Sequence, residues 1–145
     1  MGGYRFTGEW RVQASPDAVF AALADADAYP DWWPGVVTRR LDEHSGEIRL
    51  RSLLPIEVVF VATQEVVDES DGTLVARFSG DLAGTGRWQI SGADHSAVAR
   101  YEEQFDVRVG LARAAGFLGR PVIRANHGHM MRAGERGLRK HLEEK

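Results

Sequence analysis

The chain has 145 residues, a formal net charge of −3 and a pI near 5.9, with 43% hydrophobic and 27% charged residues. These values fit one ordinary globular domain with enough apolar content for a real core, and they exclude an overall basic footprint for nucleic acid. Cysteine is absent, which rules out disulfides, thiolate metal sites and a thiol nucleophile. No apolar run approaches the ~18 residues of a membrane span, and nothing at the N-terminus reads as a signal peptide. The expectation is a soluble cytoplasmic protein with no integral membrane association.

Tyr4, Phe6, Trp10 and Val12 alternate with polar residues, the period-two pattern of a half-buried strand. Ser15-Pro16-Asp17 then predicts a helix start, with serine at the N-cap and proline at the first helical position. Val19, Phe20 and Leu23 form its apolar stripe. The segment Asp25–Pro34 holds two prolines and three aromatics and predicts a second short helix or turn, capped by Asp25 or Asp27.

Six further strands are predicted: Val36–Asp42, Glu47–Leu53, Glu57–Asp68, Thr73–Asp81, Gly86–Ala93 and Ala97–Val109. Short turn-rich links between them, such as Glu43-His44-Ser45-Gly46 and Gly92–Ser96, imply an antiparallel meander. Gly84-Thr85-Gly86 is no phosphate loop, since neither a lysine nor a helix start follows; it reads as a strand bend or bulge.

The chain ends in a long amphipathic helix within Leu111–Lys145, clearest over Pro121–Leu142. Ile123, His127, Met130, Met131, Gly134, Leu138 and Leu142 share one side, and Arg132, Arg136, Arg139 and Lys140 form a solvated outer face. Glycine costs about 1 kcal/mol against alanine inside a helix. Gly134 and Gly137 therefore point to close approach by strands or by a ligand. The element order of strand, two short helices, six strands and long helix predicts a single α+β domain over residues 1–145. In it a curved seven-stranded antiparallel sheet wraps one long C-terminal helix.

Two residues stand out on the inner faces. Glu103 falls on the apolar face of the last strand, between Tyr101 and Phe105. A carboxylate there must be hydrogen-bonded, paired, protonated or at a wet edge, with Arg120, Arg124 and His127 as partners within reach. His127 sits mid-stripe, as either a satisfied core residue or a group that carries a proton. Met130 and Met131 are adaptable fillers of a core or of a greasy pocket. Trp32 and Trp33 either pack beneath the sheet's open end or form a pocket mouth. His129 points away from His127, so His-Gly-His is not a metal pair, and neither metal nor cofactor is expected.

The stretch from Trp10 to Val36, W-x-V-x-A-S-P-x-x-V-F-x-x-L-x-D-x-x-x-Y-P-x-W-W-P-x-V, resembles the polyketide cyclase/dehydrase group of the START-like (SRPBCC) superfamily. That superfamily includes lipid-transfer START domains, the birch-pollen allergen fold and aromatic polyketide cyclases. The tail, R-P-V-I-R-A-N-H from Arg120 followed by Met130, Met131, Gly134, Gly137 and Leu138, looks like a subgroup common in actinobacteria. The resemblance implies a helix-grip fold with a cavity between the sheet and the last helix, holding a lipid, isoprenoid or polyketide-like molecule. The ligand-binding residues would be Trp33, Phe60, Phe78, Trp88, Tyr101 and Phe105 from the sheet side. Arg120, Ile123, Arg124, His127, Met130 and Met131 would join them from the helix. Three functions stay open: a binder without chemistry, acting as a monomer or homodimer; a cyclase or dehydratase with His127 or Glu103 as acid/base; and a ligand-free interaction module with a filled interior.

Overall fold

Seven antiparallel strands in the order β1-β7-β6-β5-β4-β3-β2 form one sheet in the computed structural model, which describes residues 3–51, 57–108 and 119–143. The strands are β1 Gly3–Val12, β2 Val36–Arg40, β3 Ser45–Arg51, β4 Glu57–Asp68, β5 Thr73–Gly80, β6 Leu82–Ala93 and β7 Ser96–Val107. Helix α1, Pro16–Ala24, and a 3-10 helix, Ala26–Asp31, follow β1, and the long helix α2 spans Gly119–Glu143. This is the α+β arrangement that the element order predicts. A start of the last helix at Leu111, and the expected strand ends at Leu53 and Val109, lie outside the described residues.

Local chemistry sets the first elements. Ser15 Oγ accepts from the Ala18 amide at 3.1 Å, and Pro16 begins α1, whose Val19, Phe20 and Leu23 are buried. The cap expected for the next turn is not made. Asp25 stands before the 3-10 helix without a side-chain hydrogen bond, and Asp27 instead pairs with Arg40 at 2.6 Å.

The glycines of β6 also differ from expectation. The strand begins at Leu82 rather than Gly86, and Gly84 and Gly86 hold regular register, opposite Phe105 and Glu103 on β7. A Cβ at Gly84 would lie 2.6 Å from Phe105 Cα, and one at Gly86 2.6 Å from the Phe78 ring. Gly84 thus admits the close approach of the β7 backbone and Gly86 the Phe78 ring, with no shift of register against β7. The register shift falls in β4 instead, between Gln64 and Val66.

The core gathers around Trp10, Val12, Val19 and Leu138, each at most 2% exposed. A second cluster joins Val36, Ile48, Phe60 and Met130. The α2 glycines answer to protein and not to ligand: a Cβ at Gly134 would meet the Trp33 and Trp10 rings, and one at Gly137 would meet the Trp32 carbonyl.

Helix α2 also satisfies backbone at the far end of the open edge of β1 and just beyond it. Glu135 Oε2 accepts from the Arg11 amide at 2.9 Å, and Arg139 Nε donates to the Arg11 carbonyl at 2.7 Å. Glu143 Oε2 accepts from the Gln13 amide at 2.7 Å. Arg139 is therefore not simply part of a solvated face, because it satisfies backbone that an edge strand leaves unpaired. Among the described residues, no helix is long and apolar enough to cross a membrane.

Candidate functional site

A cavity of about 360 Å³ lies between the concave face of the sheet and α2. Alternation along the strands builds its wall. Tyr101, Glu103 and Phe105 project from β7, with Trp88, Gly86 and Gly84 opposite them on β6. Phe78 and Phe60 come from β5 and β4, Trp33 from the segment after the 3-10 helix, and Ile123, His127, Met130 and Met131 from successive turns of α2. Trp32 packs in the core, 5% exposed, whereas Trp33 lines the cavity. The Trp33 indole donates to the Met130 carbonyl at 2.9 Å and packs edge-on against Trp10.

Glu103 and His127 meet inside this wall. His127 Nε2 and Glu103 Oε1 are 2.6 Å apart, with the two side chains 15% and 21% exposed. The imidazole also stacks on Phe6, ring centroids 3.7 Å apart and planes 9° from parallel. Of the partners open to Glu103, the structure selects the histidine. A half-buried carboxylate thus gains a charge-assisted contact, and the ring is held by stacking on one side and by hydrogen bonding at its edge. Such a pair can hold a proton or pass one to a bound molecule. Beside it, burial first and the charge of Glu103 second raise the Tyr101 phenol above its ordinary pKa.

Arg120 and Arg124 do not line the cavity. Arg120, in the first turn of α2, donates to the Gly3 carbonyl at 2.7 Å and lies 4.2 Å over the Tyr4 ring. Arg124 lies over Tyr4 and Phe6 at 5.8 and 5.6 Å, because one residue beyond Ile123 the helix has turned roughly 100° away from the cavity. Both make cation–π contacts at the β1 edge.

At the other end the lining includes Asp27, Arg40, Glu43 and His44. The Arg40, Glu43 and His44 side chains are 58%, 93% and 69% exposed, so this end opens to solvent. Sequence periodicity gives no facing for turn residues, and this mouth was not foreseen. Ile48 and Leu50, also in the lining, alternate along β3 and could have been found by that pattern. Among the described residues no group of three His, Cys, Asp or Glu is placed to hold a metal, and His129 is not in the lining.

A curved sheet gripping one long helix around an internal cavity defines a helix-grip protein. The sequence profile of the polyketide cyclase/dehydrase and lipid transport family matches residues 4–143, and the chain belongs to that family. Among solved structures it is similar to the Zhui aromatase/cyclase of Streptomyces sp. R1128, with a TM-score of 0.80 at 16% identity, over 97% of this chain and 94% of that one. A START superfamily protein from Mycobacterium smegmatis gives a TM-score of 0.72 at 15% identity over 99% of both chains. The di-domain aromatase/cyclase BexL of the BE-7585A biosynthetic pathway gives 0.72 at 17%, over 97% of this chain and 50% of its own. At these identities the likeness establishes the fold. Among proteins of curated function, none matches the chain in sequence.

Proposed function

We propose that this protein binds an apolar or aromatic small molecule in the cavity between the sheet and α2. The observation that carries this reading is the cavity itself: about 360 Å³, walled by Trp33, Phe60, Phe78, Trp88, Met130 and Met131, with one convergent polar pair at Glu103 and His127. An apolar pocket with few polar groups is the usual form of a small-molecule site. The same open volume argues against a filled interaction module. Native mass spectrometry of protein from its own host, followed by organic extraction, tests the proposal. A retained apolar molecule, displaced in the cavity-filling variant Ala62→Phe, is the expected result. Loss of the cavity in Ala62→Phe with no change in ligand retention would overturn it.

A second reading rests on the His127–Glu103 contact and on the aromatase/cyclases among the structural neighbours. In it the pair acts as acid and base in ring closure or dehydration of a polyketide-like chain. The base removes a proton beside a carbonyl, and the cavity holds the chain in a reactive shape. His127→Phe keeps a ring to stack on Phe6, and Glu103→Gln keeps the shape of the carboxylate. Lost turnover with preserved binding in both variants supports catalysis; equal loss of both sinks it.

A further inference from the structure

Charge on the cavity wall is unevenly placed. Two cationic side chains, Arg40 and Arg87, are among the described lining residues, and both are committed elsewhere. Arg40 directs Nε and Nη2 to Asp27 Oδ2 at 2.7 and 2.6 Å, and Nη1 to the Asp42 carbonyl at 3.3 Å. Arg87 alternates to the outer face of β6 and donates to Gln89 at 3.0 Å. Glu43 adds a further negative charge at the mouth. Deeper in, Glu103 carries the carboxylate, and His127 is its hydrogen-bond partner among the described residues. An ionised carboxylate offers about four acceptor sites, so one contact leaves most of its capacity open. With the proton on the imidazole the pair is neutral, and without it the pair carries −1. In neither state does it present net positive charge.

We infer that the cavity selects its ligand by a hydrogen-bond donor delivered to Glu103, so that aromatic alcohols and amines are accepted and the matching carboxylates are rejected. The inference rests on the ligand-binding reading and names the class of molecule the same site takes. A ligand O–H or N–H adds a bond to a carboxylate with room for it. A ligand carboxylate would instead be desolvated beside Glu103 with no free cation among the described lining residues to meet it, and at the mouth it would have to displace Asp27 from Arg40.

Isothermal titration with four naphthalenes of nearly equal size tests this: naphthalene-2-methanol, naphthalen-2-ylmethylamine, 2-methylnaphthalene and naphthalene-2-carboxylate. The alcohol and amine should bind best, and the carboxylate about tenfold or more below the alcohol. In Glu103→Gln the gap between alcohol and carboxylate should shrink to about threefold or less. A carboxylate that binds wild-type protein as well as the alcohol overturns the inference, as does a gap unchanged in Glu103→Gln. The wild-type ranking decides even if that variant fails to fold. Binding of none of the four, 2-methylnaphthalene included, is a different result: it removes the ligand-binding reading itself.

Discussion

Replacing Gly134 by alanine should destabilise the protein, although alanine is the better helix former. The new Cβ would lie 2.5 Å from Trp33 Cε2 and 2.7 Å from Trp10 Cη2. Neither ring can withdraw cheaply: Trp10 is 2% exposed, and the Trp33 indole is tied to the Met130 carbonyl at 2.9 Å. Helix propensity returns about 1 kcal/mol. Overpacking costs about 1–3 kcal/mol, and a lost indole hydrogen bond costs about 1 kcal/mol more. The balance is a loss of about 1–3 kcal/mol, or roughly 3–10 °C in Tm for a chain of this length. Gly128→Ala, in the same helix, is the internal control. Its Cβ would meet Arg132 Nη1 at 3.2 Å, the end of a flexible side chain, so it should stabilise by up to about 1 kcal/mol. Thermal melts followed by near-ultraviolet circular dichroism report tryptophan packing directly. If Gly134→Ala melts at or above wild type, as Gly128→Ala should, the packing account of this helix face is wrong.

Asp81 accepts from the Val59 amide at 2.9 Å and from Arg108 Nε at 2.6 Å, with its side chain 12% exposed. Asp81→Ala should cost about 2–4 kcal/mol in urea unfolding; a loss below about 0.5 kcal/mol would show that the contact is incidental. The charge of Glu103 helps to hold the Tyr101 phenol high, after burial. Glu103→Gln should therefore move that phenol back toward its ordinary value in an ultraviolet difference titration, and an unchanged titration would remove Glu103 as a cause. Glu9 and Glu57 are held below the ordinary carboxylate range, first by hydrogen bonds from Arg11 and Arg51, and Asp68 first by that from Ser70. Depressed values mean that the folded state favours the ionised form. Their contribution is complete above the unfolded pKa and is lost as pH falls through the folded one. Urea midpoints should decline between about pH 5 and pH 3, and less steeply in Glu57→Gln. A steeper decline in that variant would contradict the assigned sign.

Much of the architecture could be read from local pattern, because local pattern set it. The Ser15-Pro16 cap, the alternation of β1 and the stripe on α2 each rest on interactions a few residues apart. The inward facing of Glu103 followed from the same arithmetic, since an alternating strand leaves no choice of side. Its partner did not follow. His127, Arg120 and Arg124 all come from one short stretch of α2, and only the placement of the helix against Phe6 and Tyr4 separates the stacked imidazole from the two edge-bound guanidiniums. The start of β6 was hidden for a related reason. Gly84 and Gly86 have no side chain to show a period, and their meaning lies in what occupies the space they leave: the β7 backbone at Gln104 and Phe105 for the first, the Phe78 ring for the second. Arg139 looked like solvent-facing charge because no helical wheel contains the edge of β1.

The stitched edge of β1 has a consequence for the time order of assembly. From β2 to β7 the sheet follows the chain, so each ladder joins consecutive strands and can close soon after its second strand is made. β1 is the exception: the first of the seven strands in chain order pairs with the seventh, from Val12 against Ala97 to Gly3 against Asp106. Trp10 and Val12, nearly fully buried in the finished core, must wait in the nascent chain for β7. Even then the outer-edge amide and carbonyl of Arg11, and the Gln13 amide after it, wait for Glu135, Arg139 and Glu143 to emerge. The first and last elements of the domain thus complete each other, and a chain halted short of α2 leaves the Arg11 amide and carbonyl on the outer edge of β1 without these side-chain partners.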